Sequence, residues 1–318
     1  MAPDANDAAM VPFDIAAPLP GVPDGSLQAS TTLLEASAGT GKTWTIAALV
    51  TRYVAEGVAT IDEILAVTFT NAATSELRDR VRSRLDEVAR ILDRALDGSL
   101  PEQAEQDELV AVLLDGAPDE LAQRRDRLRT ALASFDTSTI LTIHQFCHLV
   151  LKGLGIAGDT DPRAHLVEDL SDLRKEVVDD LWLRDHATDP RLSHADAGEI
   201  AKAIVNNPGA RLEPANPTPG SVDEARVGFA RAVTAEFDIR KRRLGVLSYD
   251  DLLGQLRDAL ADADAVARRR MRQRWRIVLI DEFQDTDPVQ WDVFERAFHG
   301  HAVLVLIGDP KQAIYAFR

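Results

Sequence analysis

Cysteine is almost missing from this chain. Its 318 residues contain one, Cys147, so no internal disulfide can form and no cysteine-rich zinc or iron–sulfur site can be built. Long hydrophobic runs are missing too. The apolar stretches stop at strand length, far short of the roughly 20 residues that a membrane-spanning helix requires. The opening "MAPDANDAAM" is acidic and lacks the basic region of a secretion signal. These absences predict a cytoplasmic protein with no membrane segment. Positive charge is also in deficit, with 36 Lys and Arg against 52 Asp and Glu, a net charge of −16. That balance argues against a polyanionic partner. Yet the basic residues are clustered, in "RRDRLR" (124–129), "RKRR" (240–243) and "RRRMRQR" (268–274). Each run reads equally as a solvated helix face or as a patch for a polyanion.

What is present is an ordinary globular balance, in a chain long enough for one large or two ordinary domains. Five near-continuous apolar runs read as strands covered on both faces: "TTLLEA" (31–36), "EILAVTF" (63–69), "STILTI" (138–143), "RIVLI" (276–280) and "AVLVLI" (302–307). Each empties into polar or small residues and, where the chain continues, a helical pattern. That is the rhythm of a doubly wound α/β fold with a parallel sheet. Leu77, Val81, Leu85, Val88 and Leu92 fall at helical spacing after the second strand. Two stretches break the rhythm. Residues 96–134 are charged and leucine-spaced, and residues 156–244 mix helical patterns with the linker "NNPGARLEPANPTPG" (206–220). Both are expected to form a helical insertion. The α/β domain is then assembled from 1–95, 135–155 and 245–318.

The first strand empties into "ASAGTGKT", Ala36, Ser37, Ala38, Gly39, Thr40, Gly41, Lys42 and Thr43. A strand, a glycine-bearing loop, Lys-Thr and a helix form the arrangement that cradles phosphate at a helix N-terminus. Lys42 would reach the β- and γ-phosphates of ATP, and the Thr43 hydroxyl would ligate Mg²⁺. The fourth strand ends in "DEFQD", Asp281 to Asp285. An acid at the carboxyl end of a parallel strand, facing a phosphate loop, suits a Mg²⁺ partner, and Asp281 takes that role. Glu282 is placed to deprotonate an attacking water. The plainer reading is a pair of acids capping the turn before Pro288; the earlier "GKT" and the later "VLIDE" together favour the catalytic one.

With these two motifs placed, "TFTNAATSELRDRV" (68–81), "TIHQFC" (142–147), "YDDLL" (249–253) and "GDPKQAIYAFR" (308–318) become informative. The ordered set resembles the superfamily 1 helicases of the UvrD/Rep type. Within that superfamily, "EASAGTGKT", "VTFTNAATSELRDR", "LIDEFQDTDP" and "LIGDPKQAIYAFR" are nearly those of the RecB branch, the beta subunits of exonuclease V. The resemblance is strong at every motif and weak in the two insertions. It implies a RecA-like ATP-binding domain (1A) carrying an inserted helical subdomain (1B).

It also implies roles, residue by residue. Phe69 matches an aromatic that stacks on a base of single-stranded DNA, though a core phenylalanine reads as well. Asn71 matches a DNA-contacting residue or caps the following helix. His144 matches a DNA-facing histidine or is a satisfied loop histidine. "SYDD" (248–251) reads as a plain capping box. In the last motif Gln312 matches the sensor of the γ-phosphate, Asp309 and Lys311 shape the turn, and Tyr315, Phe317 and Arg318 match the end that touches DNA or a facing motor domain. Gln28 does not sit in a convincing adenine-reading motif.

In the family a second RecA-like domain follows, with arginines that close on the γ-phosphate, and the RecB branch adds a nuclease domain. The sequence carries neither, so it is expected to be an N-terminal part holding one wall of the ATP cleft. The whole protein is implied to be an ATP-dependent 3′–5′ helicase and exodeoxyribonuclease of double-strand break repair, acting on DNA ends with RecC-like and RecD-like subunits. The alternatives are an AddA-type subunit, a nucleotide-binding module without turnover and, remotely, a small-molecule P-loop kinase.

Overall fold

The computed structural model describes residues 14–35, 41–100, 106–154, 165–167, 169–207 and 210–309. The chain divides into two compact units, Met1–Gly158 with Leu256–Arg318, and Asp159–Gln255.

The first unit is built on the five expected strands, each found within a residue or two of its apolar run: β1 (Ser30–Glu35), β2 (Ile64–Thr68), β3 (Thr139–Thr142), β6 (Ile277–Ile280) and β7 (Val303–Gly308). They pair in the order β1-β7-β6-β2-β3, every pair parallel. All of β2, β6 and β7 is buried, which explains why these strands show no polar alternation. The register aligns the strand ends. Glu35 lies opposite Gly308, Val67 opposite Ile280, and Thr68 opposite Thr142. The carboxyl ends of β1, β2, β3, β6 and β7 therefore all lie along one side of the sheet.

Helices cover both faces of this sheet. The helix α1 (Lys42–Ala55) is buried from Thr45 onward. The helix α2 (Asn71–Leu96) turns Leu77, Val81, Leu85, Val88 and Leu92 inward, the stripe the sequence spacing predicts. Its first turn is capped by the Thr70 side chain, which accepts from the Ala73 N–H. The short α3 (Glu108–Leu114) and α4 (Pro118–Ala133) also belong here, although their sequence pattern grouped them with the insertion. Leu109, Val110, Leu113, Leu121 and Leu128 enter the same buried core as α1 and α2, so burial ties this hairpin to the sheet unit. The remaining helices of the unit include α5 (Ile143–Leu154), α10 (Val266–Arg274) and α11 (Pro288–Phe298). Between them Phe146 stacks on Phe294 at 5.5 Å and meets Trp275 at the same centroid distance. Cys147 is buried, and burial pushes its thiol up to about 12, which leaves it unreactive.

The second unit has its own small core. The helices α6 (Ser171–Asp185), α7 (His194–Asn206) and α8 (Val222–Leu244) bring together Val177, Leu181, Ala201, Phe229 and Val233. Ser193 and Ser221 cap α7 and α8, and Gly245 ends α8 in the left-handed region, φ 64°. β4 (His165–Leu166), ahead of α6, pairs in parallel with β5 (Val246–Leu247), which follows α8, and then α9 (Tyr249–Ala259) begins. Ser248 and Asp251 form the capping box at its start, with the Asp251 N–H on Ser248 Oγ and the Ser248 N–H on Asp251 Oδ2. Asp251 also holds Lys241 at 2.7 Å.

Many arginines of the three basic runs bond to the chain itself, although most of them lie at its surface. Arg268 donates to the Leu260 carbonyl, Arg270 to Gly153, and Arg272 to both Arg296 and Ala297 at the end of α11. Arg124 caps the carbonyls of Leu113 and Asp115, and Arg129 pairs with Asp93. Arg240 pairs with Glu236 and Asp180. Helix ends leave carbonyls without intrahelical partners, and a guanidinium with several N–H groups satisfies two at once. Among the described residues no helix is long and apolar enough to cross a membrane.

Candidate functional site: a helix-start lysine facing an acidic strand end

Five of the eight phosphate-loop residues, Ala36, Ser37, Ala38, Gly39 and Thr40, lie outside the described residues, as do Lys311, Gln312, Tyr315, Phe317 and Arg318. Gly41, Lys42 and Thr43 are described. Gly41 has φ 91°, a left-handed backbone that only glycine adopts without strain. It starts α1, whose N-terminus has no side-chain cap and no acid in its first turn. That end is thus a positive dipole terminus with no acid in its first turn, the setting that favours an anion.

Lys42 points across to β6. Its Nζ lies 2.5 Å from Glu282 Oε2, with the lysine side chain 11% exposed and the glutamate 32%. Glu282 has φ 50° and ψ 43°, the sole non-glycine with positive φ among the described residues. A side chain in this left-handed region costs roughly 1–2 kcal/mol, so the surroundings must hold it there. One holder is Lys42. The other is Gln284, whose Nε2 donates to Glu282 Oε2 at 2.6 Å. The same amide's Oε1 accepts the Asp309 N–H at 2.9 Å, just beyond β7.

Asp281 sits at the root of this cluster. Its backbone N–H is bonded to the Val67 carbonyl of β2, and its Oδ1 accepts the Glu282 N–H at 2.9 Å. Burial pushes its carboxyl up to about 6, and the Glu282 charge adds to this, while the Glu282 N–H and Lys42 oppose it. Asp285 is raised for the same two reasons, burial first and then Glu282. Three carboxylates within one short turn make a site that gains from a cation. The donor set of Thr43 hydroxyl and Asp281 carboxylate consists of hard oxygens. It fits Mg²⁺, which takes one or two protein oxygens and keeps water and phosphate for the rest. Among the described residues no group of three or more His, Cys, Asp or Glu side chains is arranged to hold a metal ion.

Of the residues named for DNA contact, the three that are described, Phe69, Asn71 and His144, lie at the ends of β2 and β3, along the same sheet edge. Phe69 follows β2 and is partly buried. Asn71 is exposed at the first turn of α2, and Thr70, not Asn71, provides the cap. Asn71 Oδ1 instead accepts from Gln145 Nε2 at 3.2 Å, tying the β2 loop to the β3 loop. His144 is partly buried; burial lowers its pKa and the Asp287 carboxylate opposes the shift. Gln28 Nε2 bonds within its own turn, to Asp24 and Ser26. Sequence reasoning gave no role to Gln284 or Gln145, although both stand inside quoted motifs. Their contacts cross between strand ends, which no spacing along the chain reveals.

Residues 26–318 match the model of the UvrD/REP helicase N-terminal domain. The chain belongs to the UvrD/REP helicase family. Its five-stranded parallel sheet with flanking helices fits the RecA-like fold of that family. It is 56% identical over 309 residues to the RecBCD enzyme subunit RecB of Mycolicibacterium smegmatis, covering 96% of this chain and 27% of the relative. The Escherichia coli (strain K12) subunit of the same name is 28% identical over 414 residues, 90% of this chain and 34% of that one. The ATP-dependent DNA helicase UvrD1 of Mycobacterium bovis is 27% identical over 305 residues, 92% of this chain and 32% of the relative. The chain thus spans between a quarter and about a third of the length of these curated relatives.

Proposed function

We propose that this chain forms the ATP-binding wall of a RecB-type, ATP-dependent 3′–5′ DNA helicase and exodeoxyribonuclease subunit. Such a subunit acts on DNA ends in double-strand break repair and recombination, in the cytoplasm, with RecC-like and RecD-like partners. The observation that carries the reading is the Lys42–Glu282 pair, which brings the phosphate-loop lysine against the acidic end of β6. In this reading the loop from Ala36 to Thr43 cradles the phosphates of ATP. Lys42 exchanges Glu282 for the β- and γ-phosphates, and its departure frees Glu282 Oε2. That oxygen takes a proton from the attacking water as the water oxygen bonds to the γ-phosphorus and the bond to the ADP oxygen breaks. Thr43 and Asp281 hold Mg²⁺, which when bound neutralises charge on the phosphates. Gln312 senses the γ-phosphate. Phe69, Asn71, His144, Tyr315 and Phe317 grip single-stranded DNA by stacking and polar contact, which tolerates any sequence.

The sheet unit is the RecA-like 1A domain, and the helical unit of Asp159–Gln255 is the 1B-like insertion. A second reading keeps nucleotide binding without turnover, because in the described geometry Lys42 occupies the oxygen that would act as base. The test is binding of a fluorescent ATP analogue with Mg²⁺, and ATP hydrolysis with and without oligothymidylate, beside Lys42→Ala. Wild-type binding that Lys42→Ala loses supports the ATP site, and DNA-stimulated turnover selects the motor reading over the binding module. Equal nucleotide binding by wild type and Lys42→Ala would sink both.

A further inference from the structure

Glu282 is held in its left-handed conformation by two donors on one oxygen, Lys42 Nζ and Gln284 Nε2. When Lys42 turns to phosphate, one of these two is lost. Gln284 then remains as the side-chain donor that keeps the Glu282 carboxylate aimed. The other end of its amide is fixed to a different strand, since Oε1 accepts the Asp309 N–H beyond β7. The fit around this amide is close. A Cβ added at Gly308 would lie 2.6 Å from Gln284 Oε1 and 3.2 Å from Gln284 N. Gly308 does not have a left-handed backbone, so the space claimed by Gln284, and not the conformation, is what excludes a side chain there.

We propose that Gln284 is the positioning residue of the ATPase reaction, an amide strut between the end of β7 and the general base. This rests on the reading of Glu282 as that base. The strut passes any shift of the Asp309 backbone to the Glu282 carboxylate, because both oxygen and nitrogen of one planar amide are engaged. Gln284 touches neither water nor phosphate in this role; it acts through Glu282.

The two ends of the strut are tested separately in the full chain. Gln284→Met removes both hydrogen bonds at similar volume, and Gly308→Ala pushes on the amide without altering Gln284 or any catalytic group. Each is expected to lower kcat for ATP hydrolysis about tenfold, the effect of losing one hydrogen bond to a charged group. KM for ATP and the Kd of a fluorescent ADP analogue stay within twofold of wild type. In the double variant the losses do not multiply, because Gly308→Ala acts through an amide that is no longer there. An unchanged kcat in Gln284→Met, a parallel rise in KM, or losses that multiply would overturn the strut. Should Gln284→Met fail to fold, Gly308→Ala still decides, since wild-type kcat in that variant overturns it. Glu282→Gln with wild-type turnover would instead remove the base assignment itself, a separate result from either.

Discussion

Asp281 shows what burying a single carboxyl costs. Its carboxyl is raised from 3.8 to about 6, chiefly by burial. The folded state therefore holds a proton that the unfolded chain releases, between pH 3.8 and about 6. Stability from this group is present below that window and lost as pH rises through it, up to about 3 kcal/mol by pH 7. Asp281→Asn should accordingly raise Tm at pH 7.5 in the absence of nucleotide and leave it unchanged near pH 3.5, as read by thermal melts across pH. Added Mg²⁺ and ATP should stabilise the wild type and not the variant. A variant less stable than wild type at pH 7.5 would show that Asp281 is satisfied by partners already in place. A second local cost stands next door, where Glu282 keeps a backbone that a glycine would hold more cheaply.

At the scale of an element, α10 answers the question its composition raised. Six of the nine residues from Val266 to Arg274 other than the apolar ones are Arg or Gln, in a protein with excess acid. A run like this suggests a polyanion patch, but Arg268, Arg269, Arg270 and Arg272 donate to backbone carbonyls, and Arg274 lies over the Trp275 ring at 4.8 Å. Arg272→Ala, which leaves the carbonyls of Arg296 and Ala297 without this partner, should lower stability by about 2 kcal/mol. Its effect on single-stranded DNA binding should be small, with the slope of log K against log salt unchanged. A slope that falls by about one unit would mean instead that Arg272 sits on a phosphate.

For the whole molecule, two separate cores imply two cooperative parts. The sheet unit buries a large continuous set of side chains that includes Leu85, and the helical unit a small one that includes Leu181. Leu85→Ala and Leu181→Ala each remove a well-buried side chain and should cost about 2–5 kcal/mol in their own part. Calorimetry should then show Leu181→Ala shifting the transition of the helical unit, and Leu85→Ala that of the sheet unit. A single transition that both substitutions move equally would mean that the units unfold as one.

The strands, the start of α1 at Lys42 and the acidic turn after β6 could be read directly from the chain. Buried parallel strands need unbroken apolar runs, and phosphate and metal chemistry need Gly, Lys, Thr and Asp at fixed steps along a local backbone. The stripe of α2 and the capping box at Ser248 were legible for the same reason, since both are local. The fate of the basic runs was not, because which carbonyl an arginine meets depends on helices brought together from distant parts of the chain, as Arg270 meets Gly153. The α3–α4 hairpin joined the sheet unit because its leucines found a buried surface there, and helical spacing alone does not say which surface a stripe will cover. Gln284 is the sharpest case. Its sequence neighbours mark it as part of an acidic turn, but its bond to Asp309 exists only because β6 and β7 lie side by side in parallel register.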